Sequence, residues 1–279
     1  MKFQFLGTAA AEGNPGLFCQ CYYCKKAREH GGKDIRTRSQ ALIDDTLLID
    51  FGADTMHHAV TFGLNLDLVK ACVITHSHSD HLYPKDIETR AYGYSYRGEG
   101  ALPILPFYGS APVGKRILEV IGADSDYASF TEVRAFESFD AAGYTVTPLP
   151  GRHDPGAGTF MYSIEKDGKA VFYGHDTGPL FDEVWAWLEK RAADGLHYDL
   201  VSLDCVGAAS VLNYDSHNDI WRDRAIRNRM LELGVADEKT KFVANHFSHN
   251  GTFSLYDDFL PYARMCGFDV SYDGMLLEL

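Results

Sequence analysis

Short apolar runs closed by glycine, proline or acidic turns dominate the chain, and few apolar stretches exceed six residues. Residues 2–6 read as a strand entering Gly7-Thr8. Gln40–Ile43 and Thr46–Asp50 read as a hairpin turned at Asp44-Asp45, with a Gly52 loop and a helix from Asp54 behind it. Ala71–Thr75 is a β-branched strand. Asp86 to Tyr96 has helical character and Gly98–Gly100 breaks it. Ile104–Tyr108 is another strand, and Pro112 opens a helix at a position that suits its missing N–H. Further strands are expected at Thr131–Phe136, Tyr144–Pro148, Phe160–Glu165 and Ala170–Tyr173, the last two joined by the turn Asp167-Gly168. Leu200–Asp204 and Lys241–Ala244 complete the strand set before the C-terminal strands. Helices are expected at Phe181–Arg191, Ile220–Leu233 and Tyr256–Cys266, the first with a Phe/Val/Trp/Trp/Leu stripe that reads as core packing. Strands interleaved with helices, without a linker or repeat, argue for one α/β domain over residues 1–279.

Several strands end in polar side chains able to bind metal. Ala71–Thr75 runs into His76-Ser77-His78-Ser79-Asp80-His81, which places four imidazole or carboxylate groups within six residues. The other such ends are Pro148 to His153, Phe172 to Asp176 and Val243 to His246. In layered α/β proteins the loops at one end of a sheet build the site, so these four ends are expected to meet. Singly, His153 reads as a surface histidine and Asp176 as a turn carboxylate capping backbone. His175 is expected to point elsewhere, and His57 and His58 to lie on the surface.

Composition narrows the class. Hydrophobic residues make up 46% and charged residues 23% of 279 positions, as in ordinary globular proteins. No apolar run approaches the ~20 residues that span a bilayer, and residues 1–7 do not resemble a secretory signal, so a cytoplasmic location is expected. A net charge of −13 without a Lys/Arg tract disfavours gripping long nucleic acid, though not a small anion held by metal. Cys19, Cys21 and Cys24 form Cys-x-Cys-x-x-Cys, which suggests metal rather than disulfide; a redox thiol pair or an unliganded cluster are the other readings. Cys72 and Cys205 sit in apolar runs and read as small buried hydrophobes.

Residues 76–81, followed by His153, Asp176 and His246, resemble the signature of the metallo-β-lactamase superfamily: His-x-His-x-Asp-His, then a distant His, an Asp and a last His. The resemblance covers nearly the whole chain and implies an αββα sandwich with a binuclear centre at the edge where its sheets meet. It implies that His76, His78 and His153 bind one divalent metal, that Asp80, His81 and His246 bind a second, and that Asp176 bridges them. Zinc, manganese or iron suits such a donor set. The cysteine motif, lying between Gly7-Thr8-Ala9-Ala10 and Arg36 to Ser39, resembles the phosphodiesterase branch that includes phosphoribosyl cyclic phosphate phosphodiesterases. There the three cysteines and a histidine three positions beyond the last catalytic histidine, here His249, hold a structural zinc in a loop at about 15–30. His217, in Asp215 to Asp219, fits a substrate-proximal histidine of that branch, a general acid or phosphate donor; its other reading is a helix-start residue without a chemical role.

The resemblance implies a metal-dependent hydrolase that cleaves a small sugar or nucleotide phosphodiester, cyclic or open, with hydroxide held between two metals. Asp80 and His217 are the catalytic candidates. The alternatives are a ribonuclease Z-like tRNA 3′-processing nuclease, a pyrroloquinoline quinone biosynthesis B-like protein, and a protein whose metals are only structural. The expected partners are a small anionic phosphodiester and a second copy of the chain in a homodimer, with no membrane and no extended nucleic acid. The chain departs from the superfamily at Leu82 to Lys85, which replace a glycine-rich turn. Arg90 to Arg97, aromatic and basic, reads as pocket lining or as a packed surface helix.

Overall fold

The computed structural model describes residues 1–96 and 103–279; the Gly98–Gly100 break and Arg97 lie outside them. In chain order the elements are β1 (Lys2–Gly7), α1 (Tyr22–His30), β2 (Gln40–Ile43), β3 (Leu47–Ile49), α2 (Thr55–Phe62), β4 (Ala71–Val73), β5 (Leu105–Gly109), α3 (Ala111–Ile121) and β6 (Ala128–Glu132). There follow β7 (Phe139–Ala141), β8 (Tyr144–Pro150), β9 (Phe160–Lys166), β10 (Lys169–Gly174), α4 (Asp182–Ala193), β11 (Leu200–Asp204), α5 (Ile220–Leu233), β12 (Lys241–Asn245), α6 (Tyr256–Met265), β13 (Asp269–Val270) and β14 (Leu276–Glu278).

The strands form two sheets, ordered β14-β1-β2-β3-β4-β5-β6 and β13-β12-β11-β10-β9-β8-β7. Alternate side chains of both sheets, among them Phe3, Phe5, Ile43, Ile49 and Val73 against Val146, Tyr162, Val171 and Tyr173, pack face to face in one buried cluster. The outer face of the first sheet buries Leu42, Leu48 and Cys72 against Val113 and Ile117 of α3. That of the second buries Phe172 and Val201 against Trp185, Leu188, Ile226, Met230 and Phe259 of α4, α5 and α6. The layers therefore run αββα, the predicted architecture.

Connection chemistry places the site. Asp167 and Gly168 take φ of 51° and 73° in the two-residue β9–β10 turn, the left-handed pair that such hairpins need, and Asp44 and Asp45 take 47° and 59° in the three-residue β2–β3 connection. Strands β10, β11 and β12 are parallel, with Gly174 beside Leu203 and Asp204 beside Asn245, so their C-terminal ends open onto one edge. The first sheet meets that edge through β4. Phe160 N donates to Thr75 O at 2.8 Å and Tyr162 Oη to Ile74 O at 2.7 Å.

Several local expectations need correction. The chain from Pro84 to Arg90 is a 3-10 helix that ends at an extended Ala91; Tyr92, Tyr94 and Tyr96 stand exposed, whereas Arg90 and Ser95 of the same stretch line a small cavity with Leu66, Ile87 and Phe107. The strand expected at Thr131–Phe136 lies at Ala128–Glu132. It stops where its partner β5 ends at Gly109, and Phe136 takes φ 66°. His58 is buried, bonded to Gln40 Oε1 and Thr37 Oγ1 at 2.6 Å each, because the segment before β2 folds over α2. Among the described residues no helix is long and apolar enough to cross a membrane.

Candidate metal centre

The predicted ligands converge. His76 Nε2 and His153 Nε2 lie 3.0 and 3.2 Å from His78 Nδ1, close to the ~3.3 Å edge of a tetrahedron with metal–nitrogen bonds of about 2.0–2.1 Å. Asp80, His81, Asp176 and His246 form a second group, all buried, with ligand atoms within 4.8 Å of one another. Asp176 belongs to both neighbourhoods. Its Oδ2 is 3.7 Å from His76 Nε2 and its Oδ1 3.8 Å from His153 Nε2, while His246 Nε2 is 2.9 Å from Oδ1.

Each imidazole turns its remaining nitrogen to an oxygen. His81 Nδ1 donates to Asp50 Oδ2 at 2.6 Å, His246 Nδ1 faces Ser39 Oγ at 2.8 Å, and His153 Nδ1 faces Ser216 O at 3.2 Å. His76 Nδ1 meets Thr75 Oγ1 at 3.1 Å and His78 Nε2 meets Asp154 Oδ2 at 3.1 Å. Such partners fix tautomer and ring direction, leaving the inward nitrogens as lone-pair donors. Asp50 is itself held by Thr75 N at 2.7 Å. Asp50, Asp176 and His246 all have left-handed backbones, at φ 68°, 49° and 62°. Non-glycine residues hold that conformation at a cost of about 1–2 kcal/mol each, and it collects at functional sites.

The donor set fits a metal for a further reason. His81 Nε2 and Asp176 Oδ2 are fully buried and 2.5 Å apart, yet among the described residues neither has a partner with hydrogen-bond geometry. Two orphaned ligand atoms aimed at the same space are costly without a cation to share. Burial drives the His76 imidazole far toward neutrality. Asp176 resists its own burial penalty, because His246 and His81 hold its carboxylate ionised. Both states suit ligation.

His217 stands at the rim. Its Nδ1 donates to the buried Asp204 at 2.8 Å and lies 3.6 Å from Asp176 Oδ1. Burial works against charge on this ring, but Asp204 outweighs it and the pKa is pushed up to about 9. Asp219, two residues on, accepts from Trp221 N and Arg222 N and so caps α5, leaving His217 outside the helix. His175 bonds to Ser202 Oγ at 2.7 Å and to Asn245 Nδ2 at 3.2 Å and stays out of the ligand set, as expected.

The cysteine loop also closes. Cys19 Sγ and Cys21 Sγ lie 3.7 and 3.6 Å from His249 Nδ1, and with Cys24 the four ligand atoms fall within 4.8 Å of one another. A tetrahedron with bonds of about 2.0–2.3 Å has edges near 3.6 Å. The backbone N–H groups of Cys21, Cys24 and Gly16 each donate to one of the sulfurs, a pattern that favours thiolate. Cys72 and Cys205 are buried, as expected of small hydrophobes.

Sequence reasoning did not find Asp50, Ser39, Asp154 or Asp204. Asp50 and Asp204 do share one trait with the ligands that were found, an acidic residue closing an apolar strand.

Comparison with known proteins agrees with this geometry. Residues 45–220 match the model of the β-lactamase superfamily domain. The ribonuclease Z of Mycobacterium bovis (strain BCG / Pasteur 1173P2) is 28% identical over 189 residues, covering 62% of this chain and 64% of that protein. The ribonuclease Z of Mycobacterium tuberculosis (strain ATCC 25177 / H37Ra) is 28% identical over 187 residues, covering 62% and 63%. The chain thus spans less than two thirds of the length of these curated relatives. Among solved structures, a diphosphatase from the PhnP family superposes with a TM-score of 0.73 at 20% identity, covering 100% of this chain and 97% of that one. Zinc-bound PqqB from Methylobacterium extorquens gives 0.69 at 17%, covering both chains fully. At such identities the likeness concerns the fold. The matched domain occupies well over half of the 279 residues, and the chain belongs to the β-lactamase superfamily.

Proposed function

We propose that this protein is a metal-dependent phosphodiesterase acting on a small sugar or nucleotide phosphodiester, cyclic or open. The observation that carries the reading is the pair of ligand groups meeting at Asp176, with every outward imidazole nitrogen already bonded to oxygen. His76, His78 and His153 would hold one divalent cation and Asp80, His81 and His246 a second. Zinc, manganese and iron fit these donors. Bound there, the cations would supply an activated water and offset charge on the phosphoryl oxygens. His217, oriented by Asp204 through Nδ1, would serve through Nε2 as proton or hydrogen-bond donor to the leaving oxygen. Cys19, Cys21, Cys24 and His249 form the proposed structural zinc site, which ties the loop before α1 to the segment that carries His246. The clusters shared by both sheets support treating residues 1–279 as one unit.

Hydrolysis of bis(p-nitrophenyl) phosphate by the metal-replete protein, abolished by Asp80→Ala, tests the reading. A protein with both metals bound that is inert on every phosphodiester offered contradicts it. The ribonuclease Z matches favour a second reading, tRNA 3′ processing. Endonucleolytic cleavage of a precursor tRNA at physiological salt, at rates above those for small diesters, would decide for it.

A further inference from the structure

His175 is a fully buried imidazole outside the ligand set, and a string of polar side chains runs through it. Its Nε2 meets Ser202 Oγ of β11 at 2.7 Å, and its Nδ1 meets Asn245 Nδ2 of β12 at 3.2 Å. Beyond Asn245 the string continues to Ser271, whose Oγ donates to Asn245 Oδ1 at 2.5 Å. Ser202, Asn245 and Ser271 are wholly buried as well. Strands β10, β11 and β12 lie side by side in that order. His175, one residue past β10, therefore reaches across the end of β11 to the last residue of β12.

The tie joins the two residues that directly precede ligands. Asp176 follows His175 and His246 follows Asn245, and Asp176 Oδ1 lies 2.9 Å from His246 Nε2. Both ligands hold left-handed backbones, at φ 49° and 62°, and each of these turns starts from a tied residue. The donor and acceptor inventory leaves one pairing. The amide nitrogen of Asn245 cannot accept, so His175 Nδ1 must accept and Nε2 must carry the proton toward Ser202. Burial keeps the ring uncharged, as this pairing needs. Tyr173 closes over the imidazole, with ring centroids 3.8 Å apart, and limits its rotation. A hydrophobic side chain would fill the same space without desolvating an imidazole and an amide, so core packing alone does not account for the pair.

We infer that His175 is a positioning residue. Through Asn245 it sets the spacing between the Asp176 carboxylate and the His246 imidazole, and so the affinity of the metal position that those two share with Asp80 and His81. The inference rests on the metal positions of the phosphodiesterase reading and is independent of the substrate.

Two substitutions separate this role from core filling. In His175→Asn the side-chain oxygen is as many bonds from the backbone as Nδ1, so an acceptor for Asn245 is kept. In His175→Gln the amide nitrogen matches Nε2, which keeps the Ser202 contact and loses the one to Asn245. Zinc affinity is read by chelator competition with elemental analysis, and folding by thermal unfolding of the metal-free proteins. His175→Asn removes more volume and is expected to unfold at the lower temperature. It is nevertheless expected to hold the metal at Asp80, His81 and His246 within about two-fold of wild type, whereas His175→Gln loses about ten-fold there. The metal at Cys19, Cys21, Cys24 and His249 is expected to be unchanged in both. Asn245→Ala, made from the opposite side, is expected to lose at least as much as His175→Gln, and adding His175→Gln to it to cost nothing further. Metal loss that follows side-chain volume, as large or larger in His175→Asn than in His175→Gln, overturns the role of His175, and so does wild-type affinity in His175→Gln. A wild type that takes up no metal beside Asp176 instead overturns the metal centre itself, and the inference with it.

Discussion

Replacing Asp50 by asparagine separates orientation from ligation, because Asp50 does not itself face the candidate metal positions. Its carboxylate accepts from Thr75 N at 2.7 Å, from Thr75 Oγ1 at 2.9 Å and from His81 Nδ1 at 2.6 Å, all fully buried. An asparagine has one acceptor oxygen where the carboxylate has two. The Thr75 N–H cannot accept, so the amide oxygen must stay with it and the NH₂ must face His81 Nδ1. His81 then accepts at Nδ1 and carries its proton on Nε2, the atom that points at Asp176. Removing such a partner costs about 10–100-fold in metal affinity, or about 1.4–2.8 kcal/mol. The assay is chelator-competition titration with elemental analysis of the wild type and Asp50→Asn. The expected loss falls on the metal held by Asp80, His81 and His246, while the metal at Cys19, Cys21, Cys24 and His249 is retained. Folding is checked by thermal unfolding of the metal-free forms. A folded Asp50→Asn protein that keeps every metal within two-fold of wild-type affinity refutes the reasoning.

Three further outcomes follow from single features. Burial depresses the His58 pKa from 6.5 to about 4, so only the unfolded chain takes up its proton between those values; stability is whole above pH 6.5 and lost as pH falls toward 4. That displacement corresponds to about 3 kcal/mol, and urea unfolding of His58→Gln should show a correspondingly smaller loss between pH 7 and pH 4 than the wild type. Among the described residues the buried Tyr173 hydroxyl has no partner, so Tyr173→Phe should raise stability by about 1 kcal/mol, and a lower urea midpoint than wild type would contradict this. A Cβ at Gly178 would sit 1.9 Å from the Asp215 carbonyl oxygen, so Gly178→Ala should push the His217 loop outward. Phosphodiester turnover is then expected to drop on the order of 100-fold, and unaltered turnover would show that this loop does not position His217.

Residues 76–81 were legible because the chain itself brings them together, at the end of a strand whose apolar pattern is plain. His153, Asp176 and His246 were legible as polar ends of apolar strands, and the superfamily pattern then assigned them to the ligand set. The residues that orient the ligands were hidden for a physical reason: Asp50 meets His81 across 31 positions and Ser39 meets His246 across 207, and only sheet topology makes them neighbours. Strands and helices with full periodic patterns, such as Leu200–Asp204 and Ile220–Leu233, matched residue for residue. Helix α1 falls within the segment expected to be a loop, and its start is capped by a thiol. Cys21 Sγ accepts from Cys24 N where a serine or aspartate would ordinarily mark the beginning. His58 looked like a surface histidine on an amphipathic helix until Thr37 and Gln40 covered it.

Anomalous diffraction from crystals of the metal-replete protein tests the central claim most directly. Two peaks about 3.5–4 Å apart are expected on either side of Asp176, one among His76, His78 and His153 and one among Asp80, His81 and His246. A separate zinc-edge peak is expected among Cys19, Cys21, Cys24 and His249. A fully replete protein with one peak or none beside Asp176 would contradict the binuclear centre, and with it the chemistry proposed for this chain.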